Sequence, residues 1–134
     1  MLQSNYMDAL AGETYARQFI FTRTGLNNSS EFVGDVGWGA EFGIYDPDDQ
    51  TVLLAVATIG NNKAAFVAPG ILWISFQQTE TIGWAWKRGS WYLDLIAPNL
   101  SLDPNGYRET VLRGSMMCEP RAPRRFEAFQ TNFR

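Results

Sequence analysis

The sequence predicts an all-β domain, a sandwich or barrel of about seven short antiparallel strands with an arm at each end. Three observations carry this. Helical 3.6-residue periodicity is nearly absent, while alternation and β-branched or aromatic runs recur. Turn signals return at intervals of about 8–12 residues, the spacing of antiparallel β domains. The third is one long segment, Gly89-Ser90-Trp91-Tyr92-Leu93-Asp94-Leu95-Ile96-Ala97. It passes through Leu102-Asp103-Pro104-Asn105-Gly106 into residues 108–120 and reads as two strands closed into a hairpin.

The remaining elements follow in order. Residues 14–22 alternate, with Tyr15, Arg17, Phe19 and Phe21 on one side and Ala16, Gln18 and Ile20 on the other. Residues 25–30 are a turn by composition, and Phe32-Val33 is a short edge piece. Gly34-Asp35-Val36-Gly37-Trp38-Gly39 is dense in glycine and must turn or bulge. Residues 40–45 form a strand in which Ala40, Phe42 and Ile44 alternate against Glu41, Gly43 and Tyr45. Asp46-Pro47-Asp48-Asp49-Gln50 turns into 51–59, a strand apolar enough to be buried on both faces. After the turn Gly60-Asn61-Asn62-Lys63, a short strand covers 64–67 and Pro69-Gly70 breaks it. Residues 71–77 set Leu72, Ile74 and Phe76 against Ile71, Trp73 and Ser75. Thr79-Glu80-Thr81-Ile82-Gly83-Trp84 is the one weakly helical spot, with Thr79 as its cap.

The composition bounds what such a domain does. At 134 residues the chain is one ordinary domain, long enough for its own core. Hydrophobic residues make up 46% and charged residues 19%, which excludes a disordered chain. No run nears the roughly 20 apolar residues that span a bilayer. Met1-Leu2-Gln3-Ser4-Asn5-Tyr6-Met7-Asp8 has no basic or apolar run, so no secretory leader is expected there. The single cysteine, Cys118, excludes an internal disulfide and a cysteine metal cage, and its apolar strand makes it a core residue. Such a chain suits a reducing cytosol, or a particle assembled there. With no histidine, the commonest general base, metal ligand and nucleophile partner are all missing. A net charge of −3 leaves no large footprint for nucleic acid. No enzyme activity, cofactor or metal is expected.

Several residue groups could still carry chemistry. Asp46, Asp48 and Asp49 crowd one turn, but their spacing matches no calcium loop. Asp94 alternates outward, toward solvent or a cross-strand arginine such as Arg113, and Glu41 also points outward. A pair of these carboxylates could flank a glycosidic bond, although nothing in their spacing requires it. Gly34, Gly37 and Gly39 make no nucleotide loop, since no lysine follows at the required position. The five tryptophans fill a core or an interface, or Trp38, Trp84 and Trp86 form a platform that stacks on sugar rings. The segment 121–134 carries four arginines against one carboxylate. Its Phe126, Phe129 and Phe133 fall at i, i+3 and i+7, one face of a helix. Phenylalanine anchors beside Arg124 and Arg125 are typical interface material.

The order of these elements resembles a group of tailed-bacteriophage structural proteins with an immunoglobulin-like β-sandwich. It is similar to the N-terminal adaptor domains of baseplate and tail-fibre proteins. That group has a tyrosine-led strand, an Asp-x-x-Gly turn and a strand ending in Leu-x-Gly. Trp91-Tyr92-Leu93-Asp94-Leu95, Asp103-Pro104-Asn105-Gly106 and Leu112-Arg113-Gly114 match them. The resemblance covers roughly residues 12–120, and each motif in it is short. Trp84-Ala85-Trp86-Lys87-Arg88 is bulkier than the pattern, and the phenylalanine-bearing segment has no counterpart in it.

The resemblance implies an immunoglobulin-like sandwich; the sequence places it over residues 12–119, with an N-terminal arm over 1–11 and, from its phenylalanines and arginines, a C-terminal interaction arm over 120–134. The resemblance also implies a virion protein, assembled in the bacterial cytoplasm. Such a protein would bind copies of itself and other phage structural proteins (fibre, spike, baseplate or neck), with no nucleic acid and no membrane. Arg124, Arg125, Phe126, Phe129 and Phe133 are the expected interface. The alternative is a carbohydrate-binding module that uses Trp38, Trp84 or Trp86.

Overall fold

A computed structural model of the chain describes residues 4–21, 37–68, 70–98 and 107–119. It contains eight strands: β1 Ser4–Leu10, β2 Tyr15–Ile20, β3 Gly39–Asp46, β4 Asp49–Thr58, β5 Ala64–Ala68, β6 Ile71–Phe76, β7 Arg88–Ala97 and β8 Tyr107–Glu119. One helical turn, α1 (Gln78–Thr81), links β6 to β7. The strands form a five-stranded sheet in the order β1-β8-β7-β3-β4 and a three-stranded sheet in the order β2-β6-β5. This is immunoglobulin connectivity. In chain order β2 to β8 take the places of strands B, C, C′, D, E, F and G, with G, F, C and C′ side by side in one sheet and B, E and D in the other.

The first strand departs from the antiparallel plan. Ser4–Leu10, read from sequence as part of an arm over 1–11, pairs in parallel with β8, from Ser4 opposite Arg113 to Leu10 opposite Glu119. The Ala11 amide extends that ladder by donating to the Glu119 carbonyl at 2.9 Å. Ala9 and Ala11 are buried. A parallel ladder needs a partner from far along the chain, and seven residues with only Met7, Ala9 and Leu10 as inward candidates show little strand pattern by themselves.

The two sheets close on a core of inward-facing residues. Phe42 and Ile44 of β3, Trp91, Leu93 and Leu95 of β7, and Leu72, Ile74 and Phe76 of β6 are all fully buried. Phe19, Phe42 and Trp91 join strands B, C and F. Their ring centroids lie 6.1 Å (Phe19–Phe42), 6.4 Å (Phe19–Trp91) and 5.5 Å (Phe42–Trp91) apart. Antibody domains fill the same strands with a B–F disulfide packed on a tryptophan of C. Here aromatic contact replaces the covalent link, each pair adding about 0.5–1.5 kcal/mol beyond its burial. Cys118 is buried on β8, and burial raises its thiol pKa.

Two local expectations are corrected. The strand over 51–59 is not buried on both faces. β4 is the outermost strand of its sheet, and only Ala55 and Ala57 are buried, opposite Ile44 and Phe42. Val52 and Leu53 are exposed. Thr79 does not cap α1. Gln77 is the N-cap and makes no side-chain capping bond, and the anchoring hydroxyl is that of buried Thr81.

The Asp46–Gln50 turn is a tight hairpin with Asp46 opposite Asp49. Asp46 Oδ1 accepts from the Asp48 amide at 2.8 Å. Asp49 Oδ1 accepts from the Thr51 hydroxyl at 2.6 Å and from its amide at 3.0 Å, which lowers the Asp49 pKa. These carboxylates are turn-formers. Among the described residues no group of three or more His, Cys, Asp or Glu is placed to hold a metal ion.

Candidate functional site

Strand alternation divides each sheet into a core face and an outer face, and the two outer faces differ in kind. On the five-stranded sheet, β3, β7 and β8 lay their outward residues in cross-strand rows. One row holds Gly43, Tyr92 and Arg113, and the next holds Glu41, Asp94 and Thr110. The register slips between Leu93 and Asp94, so Leu93 faces Leu112 while Asp94 faces Thr110. This bulge sets the ion pairing.

Asp94, only 7% exposed, accepts from Arg108 Nη1 at 2.7 Å and from the Thr110 hydroxyl at 2.5 Å. Arg108 Nη2 also reaches Glu41 Oε1 at 3.6 Å, and the Tyr92 hydroxyl donates to Glu41 Oε2. Burial, then the hydrogen bond to Glu41 and the nearby carboxylate charges, raises the Tyr92 pKa and keeps it a donor. The sequence reading offered Arg113 as the partner of Asp94. The structure gives Arg108 that role, and Arg113 stands opposite Tyr92. Both carboxylates accept from hydroxyl donors and share one guanidinium, which ties three strands together.

Beside this network two tyrosine rings lie on the sheet. The Tyr92 ring lies against Gly43, where a Cβ would collide with it. The Tyr45 ring is 6.1 Å from the Tyr92 ring and tilted by 39°. Tyr45, Gln50, Tyr92, Thr110 and Arg113 line a recess of about 300 Å³. No described residue pairs with the Arg113 guanidinium.

Among the described residues the outer face of the three-stranded sheet carries no charged side chain. It presents Ala16, Gln18 and Ile20 from β2, Ile71, Trp73 and Ser75 from β6, and Ala65 and Val67 from β5. Ile20 is 73% exposed, Val67 58% and Trp73 42%. Large apolar side chains grouped on one outer face make it a candidate contact surface.

The tryptophans proposed as a sugar platform lie elsewhere. Trp38 is 6% exposed, so neither face of its ring is open. Trp84 and Trp86 are half-buried, 5.2 Å apart, and Trp84 sits edge-on to Phe76 at 5.3 Å. The indole nitrogens of Trp38 and Trp86 are buried with no hydrogen-bond partner among the described residues. Arg124, Arg125, Phe126, Phe129 and Phe133 lie outside the described residues. Sequence reasoning missed Tyr45, Tyr92, Trp73 and Arg108 as surface features. Alternation had already placed Trp73 opposite Leu72 and Ile74, and Tyr45 opposite Ile44. What it lacked was which side of each strand faces water.

No protein-family model matches the chain, and no curated protein matches it.

Proposed function

We propose that this chain is a non-enzymatic structural protein of a tailed-bacteriophage particle. It would be an adaptor of the tail, baseplate or neck that self-associates as a ring or trimer and holds a fibre or spike. The observation that supports the reading is the uncharged outer face of the three-stranded sheet, with Ile20, Val67 and Trp73 open to solvent. Apolar area of this kind stabilises an assembly when copies bury it at about 25 cal/mol per Å². Phe126, Phe129 and Phe133, with Arg124 and Arg125, supply matching anchors. In this reading the partners are further copies and companion virion proteins, and neither nucleic acid nor membrane is bound. Light scattering on the intact chain and on a chain lacking 121–134 tests it. The intact chain is expected at a multiple of 15.1 kDa and the shortened one at a lower multiple. An intact chain that stays monomeric and captures no companion protein would overturn the reading.

A second reading, a carbohydrate-binding module, is favoured by one feature, the Tyr45–Tyr92 pair beside Arg113. Aromatic rings on an exposed sheet face suit stacking against sugar rings. A glycan array decides between the two. Binding lost in Tyr45→Ala supports the module, and a flat array removes it.

A further inference from the structure

We infer that the outer face of the three-stranded sheet is the receptor for residues 121–134 of a second copy of this chain. The inference rests on the self-association proposed above and names the surface that receives the arm. Four observations converge on it.

The first is chemical match. The face is uncharged and mostly apolar, with Gln18 and Ser75 as its polar members, and the arm carries three phenylalanines at i, i+3 and i+7. The second is size. Helical spacing sets Phe126 and Phe133 about 10 Å apart along an axis. Three strands at about 4.8 Å spacing present a width of about 10 Å. The third is origin. Glu119, where β8 ends, lines one cleft together with Tyr15 and Arg17 of β2, the border strand of the receptor sheet. Fifteen residues follow Glu119, enough for about 22 Å of helix or about 50 Å of extended chain. The fourth is charge. Asp8, Glu13 and Glu119 line that cleft, and none of their carboxylates pairs with a described residue. Arg17 in the same cleft is taken up by the Ala16 and Asp8 carbonyls and the Tyr15 ring. Arg121, Arg124 and Arg125 complement these carboxylates, which lie at the border of the receptor sheet beside β2 and not on its outer face.

The arm crosses to a neighbour because of its first residues. Pro120 and Pro123 favour extended backbone, and a residue before proline is driven out of the helical region. A short stiff hinge at a strand end opposes a return to the parent sheet and favours exchange between copies.

Disulfide trapping tests the inference, because buried Cys118 is the only native thiol. The paired substitutions Val67→Cys and Phe129→Cys are oxidised and compared with Leu53→Cys and Phe129→Cys, whose first site is exposed on the other sheet. Non-reducing gels are expected to show covalently joined copies for the first pair and single chains for the second. Trp73→Glu and Ile20→Lys, both at exposed positions, are expected to lower the mass as far as deletion of 121–134 does while leaving the far-ultraviolet spectrum unchanged. A link within single chains, or cross-linking no greater than in the control, overturns the inference. If deletion still lowers the mass in that case, the proposed function stands and only this receptor falls. An intact chain that is monomeric throughout removes both.

Discussion

Gly43 shows how one residue shapes a face. It lies opposite Tyr92 on β7, and its missing side chain lets the phenol settle on the sheet and reach Glu41. Gly43→Ala is expected to lower stability by about 1–3 kcal/mol, as overpacking does. It should also release Tyr92 from Glu41, and urea midpoints and tyrosine absorbance report the two effects. Arg108→Ala leaves Asp94 with the Thr110 hydroxyl alone, and the expected loss is about 1–3 kcal/mol by the same urea assay. Tyr15 gives the fold a pH limit. Burial pushes its hydroxyl up to about 12 from 10.0, with the Arg17 charge opposing and that of Asp8 assisting. The folded state therefore holds this proton more tightly than the unfolded chain. The contribution is complete below pH 10 and is lost as pH rises from 10 toward 12. Tyr92, raised in the same direction, steepens the fall. Denaturant titrations at a series of pH values above 9 are expected to show it, less steeply in Tyr15→Phe.

Among the elements, α1 and β1 depend most on distant partners. The Thr81 hydroxyl accepts from the Gly12 amide at 3.2 Å and donates to the Glu13 carbonyl at 2.7 Å, binding the helical turn to the β1–β2 turn. Gly12 sits at φ 91°, in the left-handed region, so this turn requires glycine. Thr81→Val keeps the shape and strands the Gly12 amide. A loss of about 1–3 kcal/mol is expected, with faster hydrogen exchange at Gly12. Removing residues 1–10 takes β1 from the edge of β8 and uncovers Cys118, which lies opposite Ala9. The thiol of the intact chain is expected to resist a water-soluble thiol reagent, and that of the truncated chain to react. The strands with strong alternation, β3, β6 and β7, were legible from sequence because a period of two shows directly in Phe42-x-Ile44, Leu72-x-Ile74-x-Phe76 and Trp91-x-Leu93-x-Leu95. β1 was not, because a short edge strand of mixed residues takes its identity from its partner. The position of β4 was misread because Val52 and Leu53 are apolar yet exposed at a sheet edge.

At the scale of the whole molecule, the sheets give the domain two unlike faces. One is locked by the Glu41–Arg108–Asp94 network and carries the paired tyrosines. The other is uncharged and mostly apolar, and assembly by its burial predicts a weaker response to salt than a contact held by charge alone. Raising sodium chloride from about 0.05 to 0.5 M is expected to screen the arginine–carboxylate contacts of the arm and to lower the assembled mass only slightly, since the apolar contact is not screened. Dissociation across that range, read by sedimentation, would point to the arginines instead of the phenylalanines as the main contact.

Of the candidate site, the sequence supplied the residue types but not their grouping. Five tryptophans in a chain of 134 residues announce large aromatic surfaces without saying which ones remain wet. Trp38 and Trp91 went into the core and Trp73 stayed outside, a choice made by which side of each strand met the opposite sheet. By itself the amino-acid order determined an all-β chain, most strand positions, the hairpin turn at Pro47-Asp48 and the lack of histidine chemistry, because propensity, alternation and composition are local. Tertiary structure alone decided the parallel pairing of β1 with β8, the bulge that gives Asp94 to Arg108, and the open face around Trp73. Each of these depends on residues far apart in the chain meeting across a sheet, and local periodicity holds no record of that.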